Sequence, residues 1–414
     1  MPTQVVAAAF CRLLLDGARL SREFDAGGRW DGHAPGLRPG WIAGRRADLS
    51  DAQWRTFRAG LPPLAVALAA FAAASRALRR AAAPSVEAAV RRRAALHAAA
   101  AAAFLIHLHG AGAALVFALV AACHAAARLA AGSRHGAAAI WAANMGALAA
   151  ARYTNGAPAF FASLPLGLGA RLGALDALRG AGVRWHVCYN LTALRVLSHG
   201  LDLHWRRRAA SGGDSDAAQD DAKRGGAPPA TPRGRARTPL PAAADYSLLP
   251  ALAHALYPPL YLAGPLVTFQ DYAWQLRAGA GAGGRAAPSL RGALARCAAR
   301  LLADLAAIEV LTHFLYFNSL AVHRVGARLR PAGLPWGAPE AGLAAWWVLA
   351  FMWLKFAAIW RFFRAAALLE GLDPPENMRR CFADNCDAAG FWRGWHASFN
   401  RWLVCVAYGC GGIF

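Results

Sequence analysis

Apolar residues gather into long runs along this chain, and short basic or Gly/Pro-rich stretches divide them. Leu61 to Ser75 is an Ala/Leu run somewhat short of the ~20 residues that a bilayer core needs. Ala94 to Ala131 is longer and is broken at Gly110, which predicts two tilted spans or a helical hairpin. Ala137 to Ala151 predicts a further short span, and residues 157–182 an amphipathic stretch lying in the membrane plane. From Arg184 to Trp205 polar side chains recur inside an apolar helix: Asn190, Thr192, Arg195, Ser198 and His199. Ala298 to Val322 can span, with Asp304 and Glu309 inside it as polar contacts. Gly342 to Leu369, rich in Trp, Phe and Leu, predicts a span in which Lys355 and Arg361 snorkel to the interface. The pattern predicts an all-α, polytopic membrane helical bundle.

The remaining stretches punctuate these runs. Residues 1–60 read as a polar leading segment that ends in an amphipathic helix capped by Ser50 or Asp48. No secretory signal is expected, because the apolar start from Val5 to Leu15 is interrupted by Arg12. Residues 61–205 form an N-terminal transmembrane bundle. Arg206 to Ala244 is a linker whose Gly, Ser, Asp, Pro and Arg content predicts disorder. Residues 245–414 hold the C-terminal core. The basic loop from Arg76 to Arg93 is assigned to the cytosol, since cytosolic loops carry the arginine excess.

Composition agrees with this organisation. The chain has 414 residues, 57% of them hydrophobic, and a mean hydropathy of +0.28, too apolar for an ordinary soluble protein. The formal net charge is +22, yet only Lys223 and Lys355 are lysines. The arginines cluster between apolar runs, not on a basic face with aromatic platforms, which argues against nucleic acid as partner and for anionic lipid. Cys381, Cys386, Cys405 and Cys410 form two C-x4-C pairs. Zinc ligand pairs are usually closer, so separate thiols and no metal are expected. His107 and His109 cannot share a helix face and predict no metal pair either.

Three stretches carry candidate chemistry. Phe391 to Trp402 packs three tryptophans, two arginines, a histidine and an asparagine into one short segment. If this segment is helical, Trp392, His396 and Asn400 lie one turn apart on one face. His396 is then a candidate proton acceptor with Asn400 as polar partner. The alternative is an interfacial helix whose tryptophans and arginines sit at headgroups. In the second stretch Asn190 and Arg195 are candidates for binding a phosphate or carbonyl, or else make interhelical hydrogen bonds without touching substrate. In the third, Tyr257 to Phe269, two prolines and Gly264-Pro265 break the backbone inside an apolar run. Broken helices are tolerated where they line a cavity or are buried in protein, and a kinked span is the alternative.

FWRGWHASFNRW resembles the signature of the membrane-bound O-acyltransferase (MBOAT) superfamily, in the branch of the fungal glycerol uptake proteins. GRRADLSDAQWRTFR, WHxxYNLTALRxxSxxxD and PLYLAGPxxxF are similar to further elements of that branch. The resemblance covers most of residues 39–408. It implies an MBOAT-type bundle with re-entrant or broken helices around a central tunnel, in the endoplasmic-reticulum membrane or, alternatively, the plasma membrane. It implies transfer of a fatty acyl group from acyl-CoA, the co-substrate, to a hydroxyl of a lipid acceptor, a glycerolipid or lyso-GPI anchor, with no other cofactor. His396 takes the motif's polar position, filled in relatives by His, Asn or Asp, with Asn400 as its partner. Trp392, Arg393, Trp395, Asn190, Arg195, Tyr261, Gly264 and Pro265 become candidate substrate contacts. Relatives place a second histidine in a later apolar helix, and they tend to have Arg and Pro where this chain has Cys405 and Cys410. The C-terminal core is therefore expected to be incomplete. A glycerol transporter and a catalytically inactive scaffold are the alternative functions.

Overall fold

The computed structural model describes residues 2–25, 36–153, 160–163, 165, 167–211, 241–281, 288–329 and 337–407. Sixteen helices are found among them: α1 Pro2–Asp25, α2 Ala52–Arg80, α3 Val86–His109, α4 Gly112–Ala130, α5 Gly136–Tyr153, α6 Leu168–Leu172, α7 Trp185–Ala210, α8 Leu248–Ala255, α9 Pro258–Tyr261, α10 Phe269–Gly281, α11 Pro288–Phe314, α12 Phe317–Val322, α13 Val325–Leu329, α14 Ala338–Glu370, α15 Ala388–Gly394 and α16 Ala397–Ala407. Two short strands, β1 Leu37–Pro39 and β2 Arg46–Asp48, form an antiparallel pair with Leu37 opposite Asp48.

Three described helices, α2, α4 and α14, are long and apolar enough to cross a membrane. Only 22% of the most apolar window of α2 is buried inside the protein, so most of that window is free to face lipid. The long alanine-rich run breaks where expected, at Gly110, whose φ of 57° ends α3 before α4 begins. Several boundaries move outward. The expected Leu61–Ser75 span is part of a 29-residue helix. The helix from Trp185 continues through Arg206, Arg207 and Arg208 to Ala210. The expected linker beyond 211 lies, up to 240, outside the described residues, as does Cys410.

The chain divides into two units. The first comprises residues 1–67, 295–362 and 377–395. In it, Leu13, Leu14 and Ala18 of α1 pack against Leu315, Phe317 and Trp347. Trp54, 1% exposed, packs with Ile308, Phe351 and Ala358. The cap of α2 is neither Ser50 nor Asp48. The Trp54 N–H donates to Asp51 Oδ1 at 2.6 Å, leaving Asp48 to accept from the N–H groups of Ser50 and Ser319 at 3.1 and 2.8 Å. Lys355 and Arg361 do not snorkel. Lys355 Nζ meets Asp51 Oδ2 at 2.8 Å and Arg361 Nη1 meets Asp304 Oδ2 at 2.5 Å. A buried cation needs such a partner, because desolvation otherwise outweighs packing of its stem.

The second unit comprises residues 68–294, 363–376 and 396–414. Here α4, α5 and α7 pack together around Val116, Val120, Ala147, Tyr189 and Val196. Gly200 lets α7 approach closely: a Cβ there would stand 2.9 Å from Ile140 of α5 and 3.2 Å from Ala127 of α4. Glu370, at the end of α14 and 0% exposed, gathers several elements. Its carboxylate accepts from Ser75 at 2.5 Å, from Arg93 at 2.6 and 2.9 Å and from Tyr257 at 2.8 Å. His97 stands 3.2 Å from the same carboxylate, and its other ring nitrogen is 2.8 Å from the Tyr272 hydroxyl. A lone buried carboxylate would be costly, and here both of its oxygens accept hydrogen bonds.

Candidate functional site

The Gly/Pro-broken stretch is the first component of the site. After the short α9, Leu262 to Thr268 is not helical, and Gly264 takes φ 116°, a backbone that L side chains rarely adopt. Backbone groups freed from helical bonding must find other partners when buried. Side chains supply them here. The buried Arg195 donates to the carbonyl oxygens of Ala255, at 3.2 Å, and Leu260. The Phe269 N–H donates to Ser198 Oγ at 3.1 Å and the Gln270 N–H to Asp202 Oδ2 at 3.1 Å. His254 Nε2 lies 2.9 Å from the Val267 carbonyl, and the Leu266 N–H donates to Ser398 Oγ at 2.8 Å. Arg195, Ser198 and Asp202 recur at three- and four-residue intervals, so they project from one face of α7. That spacing was visible in the sequence as WHxxYNLTALRxxSxxxD. The role of its Ser and Asp as holders of a broken backbone was not.

Each candidate contact now has a place. Arg195 has its charge on backbone carbonyls, which matches the interhelical alternative. Asn190 is exposed. It lies off the Arg195 stripe, since five residues turn a helix by about 140°. Tyr261 is buried, and its hydroxyl is 2.9 Å from His109 Nε2, whose other nitrogen is 2.8 Å from the Val183 carbonyl. His109 thus serves a neighbour. Pro265 is buried directly after the Gly264 turn.

The signature motif is not one helix. α15 ends at Gly394, Trp395 is extended at φ −85° and ψ 128°, His396 adopts φ 48°, and α16 starts at Ala397. Trp392, His396 and Asn400 therefore do not share a helix face, and the division between the two units falls between Trp395 and His396. On the first unit's side the Trp395 ring stacks on Phe391 at 5.6 Å and meets Phe356 and Trp360 edge-on at 5.9 and 6.2 Å. Trp392 is 59% exposed and Arg393 is exposed. Those two fit the headgroup-facing alternative, which needs exposed aromatic and basic side chains.

On the second unit's side His396 opens α16. Its carbonyl accepts from the N–H groups of Phe399 and Asn400 at 2.9 and 3.2 Å. Its ring stacks on Phe399, centroids 5.4 Å apart, and Phe399 stacks on Trp402 at 6.2 Å. Arg401 ties α16 to α10 through Asp271 at 3.0 Å. His396 lies outside the three membrane-crossing helices, and burial pushes its imidazole down to about 4. At neutral pH the ring is uncharged. A non-glycine residue at positive φ is uncommon and costs about 1–3 kcal/mol, held in place only by surrounding structure. Ser398, two residues on, supplies part of that hold.

Among the described residues no group of three His, Cys, Asp or Glu is arranged to hold a metal ion. Residues 235–408 match the MBOAT, membrane-bound O-acyltransferase family. The chain is 28% identical over 373 residues to membrane-bound O-acyltransferase gup1 of Schizosaccharomyces pombe, an alignment covering 90% of this chain and 60% of that protein. It is 30% identical over 378 residues to membrane-bound O-acyltransferase GUP1 of Saccharomyces cerevisiae, covering 90% and 62%, and 29% identical over 383 residues to GUP1 of Candida tropicalis, covering 91% and 60%. The chain spans about three fifths of the length of these curated relatives. A helical architecture with membrane-crossing helices, a signature split at His396, and these alignments along nine tenths of the sequence agree: the chain is a membrane protein of the membrane-bound O-acyltransferase superfamily, in the branch of these fungal relatives.

Proposed function

We propose that this protein transfers an acyl group from a thioester donor, acyl-CoA, to a hydroxyl of a lipid acceptor in the endoplasmic-reticulum membrane. A glycerolipid or a lyso-GPI anchor fits the acceptor class. The observation that supports the reading best is the neutral, half-buried imidazole of His396 at a left-handed corner between two helices. The acceptor hydroxyl oxygen attacks the thioester carbonyl carbon, the C–S bond breaks, and the hydroxyl proton ends on the departing thiolate. A ring pushed to about 4 holds a proton weakly. Its task is then to accept a hydrogen bond from the hydroxyl, orient it and pass the proton on. Asn400, one turn along α16, is the polar partner. In this reading Trp392, Arg393 and Trp395 contact headgroup and acyl chain, and Tyr261, Gly264 and Pro265 shape a tunnel wall. Arg195 here holds the broken backbone, and Asn190 is given no substrate contact.

Microsomes carrying the chain, supplied with labelled acyl-CoA, test this. Ester product that disappears in His396→Ala supports acyl transfer. Labelled-glycerol flux without ester product would replace it with a transporter, and neither signal would leave a scaffold.

A further inference from the structure

We propose that Arg76, Arg79 and Arg93 form a phosphate-binding site where the ends of α2 and α14 meet α3, taking a phosphate ester carried by a soluble nucleotide donor or by a lipid headgroup.

Arg93 is 2% exposed and points Nε and Nη2 at Glu370, while its buried Nη1 has no hydrogen-bond partner. That Nη1 lies beside Gly279 of α10, where a Cβ would stand 2.9 Å away. Arg79 is within electrostatic reach of Arg93, Arg76 and Glu370. It makes no hydrogen bond with any described residue, and its Nε is buried and unpartnered. Its guanidinium lies against Gly371, where any Cβ would overlap it, and the φ of 115° there keeps that position to glycine. Arg76 reaches the Leu369 carbonyl at 3.2 Å. Arg79 and Arg93 thus lie within electrostatic reach of one carboxylate, with Arg76 in reach of Arg79, and Ser75, Arg93, His97 and Tyr257 already occupy that carboxylate. The nearby acids do not restore balance: Asp373 and Glu376 pair with Arg364, and Glu87 pairs with Arg277.

Buried cations with unfilled N–H donors are costly and rarely left so. Donors from two helices converging with net positive charge call for an anion with several acceptor oxygens. A phosphate supplies them in the geometry guanidinium forks prefer. The acyltransferase reading bears only on naming acyl-CoA as one source of the phosphate. The binding site stands without it.

The test uses the full chain purified in detergent and in nanodiscs, with CoA itself as the soluble probe. Arg79→Gln raises the Kd for CoA about tenfold or more if the donor's phosphate sits there. If the ligand is a headgroup, phosphatidate in phosphatidylcholine nanodiscs raises the Tm of the unchanged chain and not of Arg79→Gln. Gly279→Ala crowds Arg93 Nη1 without removing charge, and it must weaken the same ligand; it decides the matter if Arg79→Gln fails to fold. Equal CoA affinity and equal phosphatidate shifts in the unchanged chain and both variants would overturn the site. Weakened CoA binding in the variants, with no ester product from labelled acyl-CoA in the unchanged chain, would instead keep the site and remove the acyl-transfer reading.

Discussion

The N–H of Leu266 donates to the hydroxyl of Ser398 at 2.8 Å, tying the backbone after the Gly264-Pro265 break to the helix that His396 opens. Both residues are buried. Ser398→Ala leaves the amide without a partner and is expected to cost about 1–3 kcal/mol. Ser398→Thr keeps the hydroxyl and most of the stability. Thermal unfolding of the two purified variants separates them, and equal Tm values would show that the bond does not hold the segment.

The acid behaviour of His396 is a second prediction. Its pKa in the fold is pushed down to about 4, whereas a free histidine titrates near ~6.5. The unfolded chain therefore takes up this proton first as pH falls. The stability that the neutral ring contributes is present above about 6.5 and is lost as pH falls from there towards 4. Acyl transfer, which uses the neutral ring, should keep its His396-dependent rate down to about pH 4. His396→Ala should lower the rate by about 10²–10⁴-fold at pH 7. An acid limb near 6.5 that vanishes in the variant would contradict the buried setting.

Glu370 offers a third. Glu370→Gln removes the charge that holds Arg93 and loosens the bonds from Ser75 and Tyr257. Stranding a buried arginine is expected to cost about 3–5 kcal/mol. The readout is folded yield and protease resistance in membranes, where a variant matching the unchanged chain would show that the node carries little stability.

Asn190 gives a fourth prediction. Because it is exposed on α7, Asn190→Ala should change stability by no more than about 0.5 kcal/mol and leave the rate unchanged. A tenfold loss of activity would return it to the site.

These contrasts show where the sequence could be read directly. Spans with a long apolar period, such as Ala338–Glu370, and breaks forced by Gly110 or Gly264-Pro265 were legible, because one residue's local preference decides them. The ion pairs Lys355–Asp51 and Arg361–Asp304 were not. Each joins residues hundreds or tens of positions apart, and nothing in helical spacing names the partner. The signature misled in another way. FWRGWHASFNRW has helical spacing throughout, and only the extended Trp395 and the positive φ of His396 split it.

That corner constrains what position 396 can be. Histidine, asparagine and aspartate are the side chains most at ease with left-handed backbone after glycine. A bend of this hand would sift residue types by itself, before any reaction is catalysed. Possession of histidine in that place therefore says less about proton traffic than a comparison of His396→Asn with His396→Ala, the first sparing the bend and the second straining it.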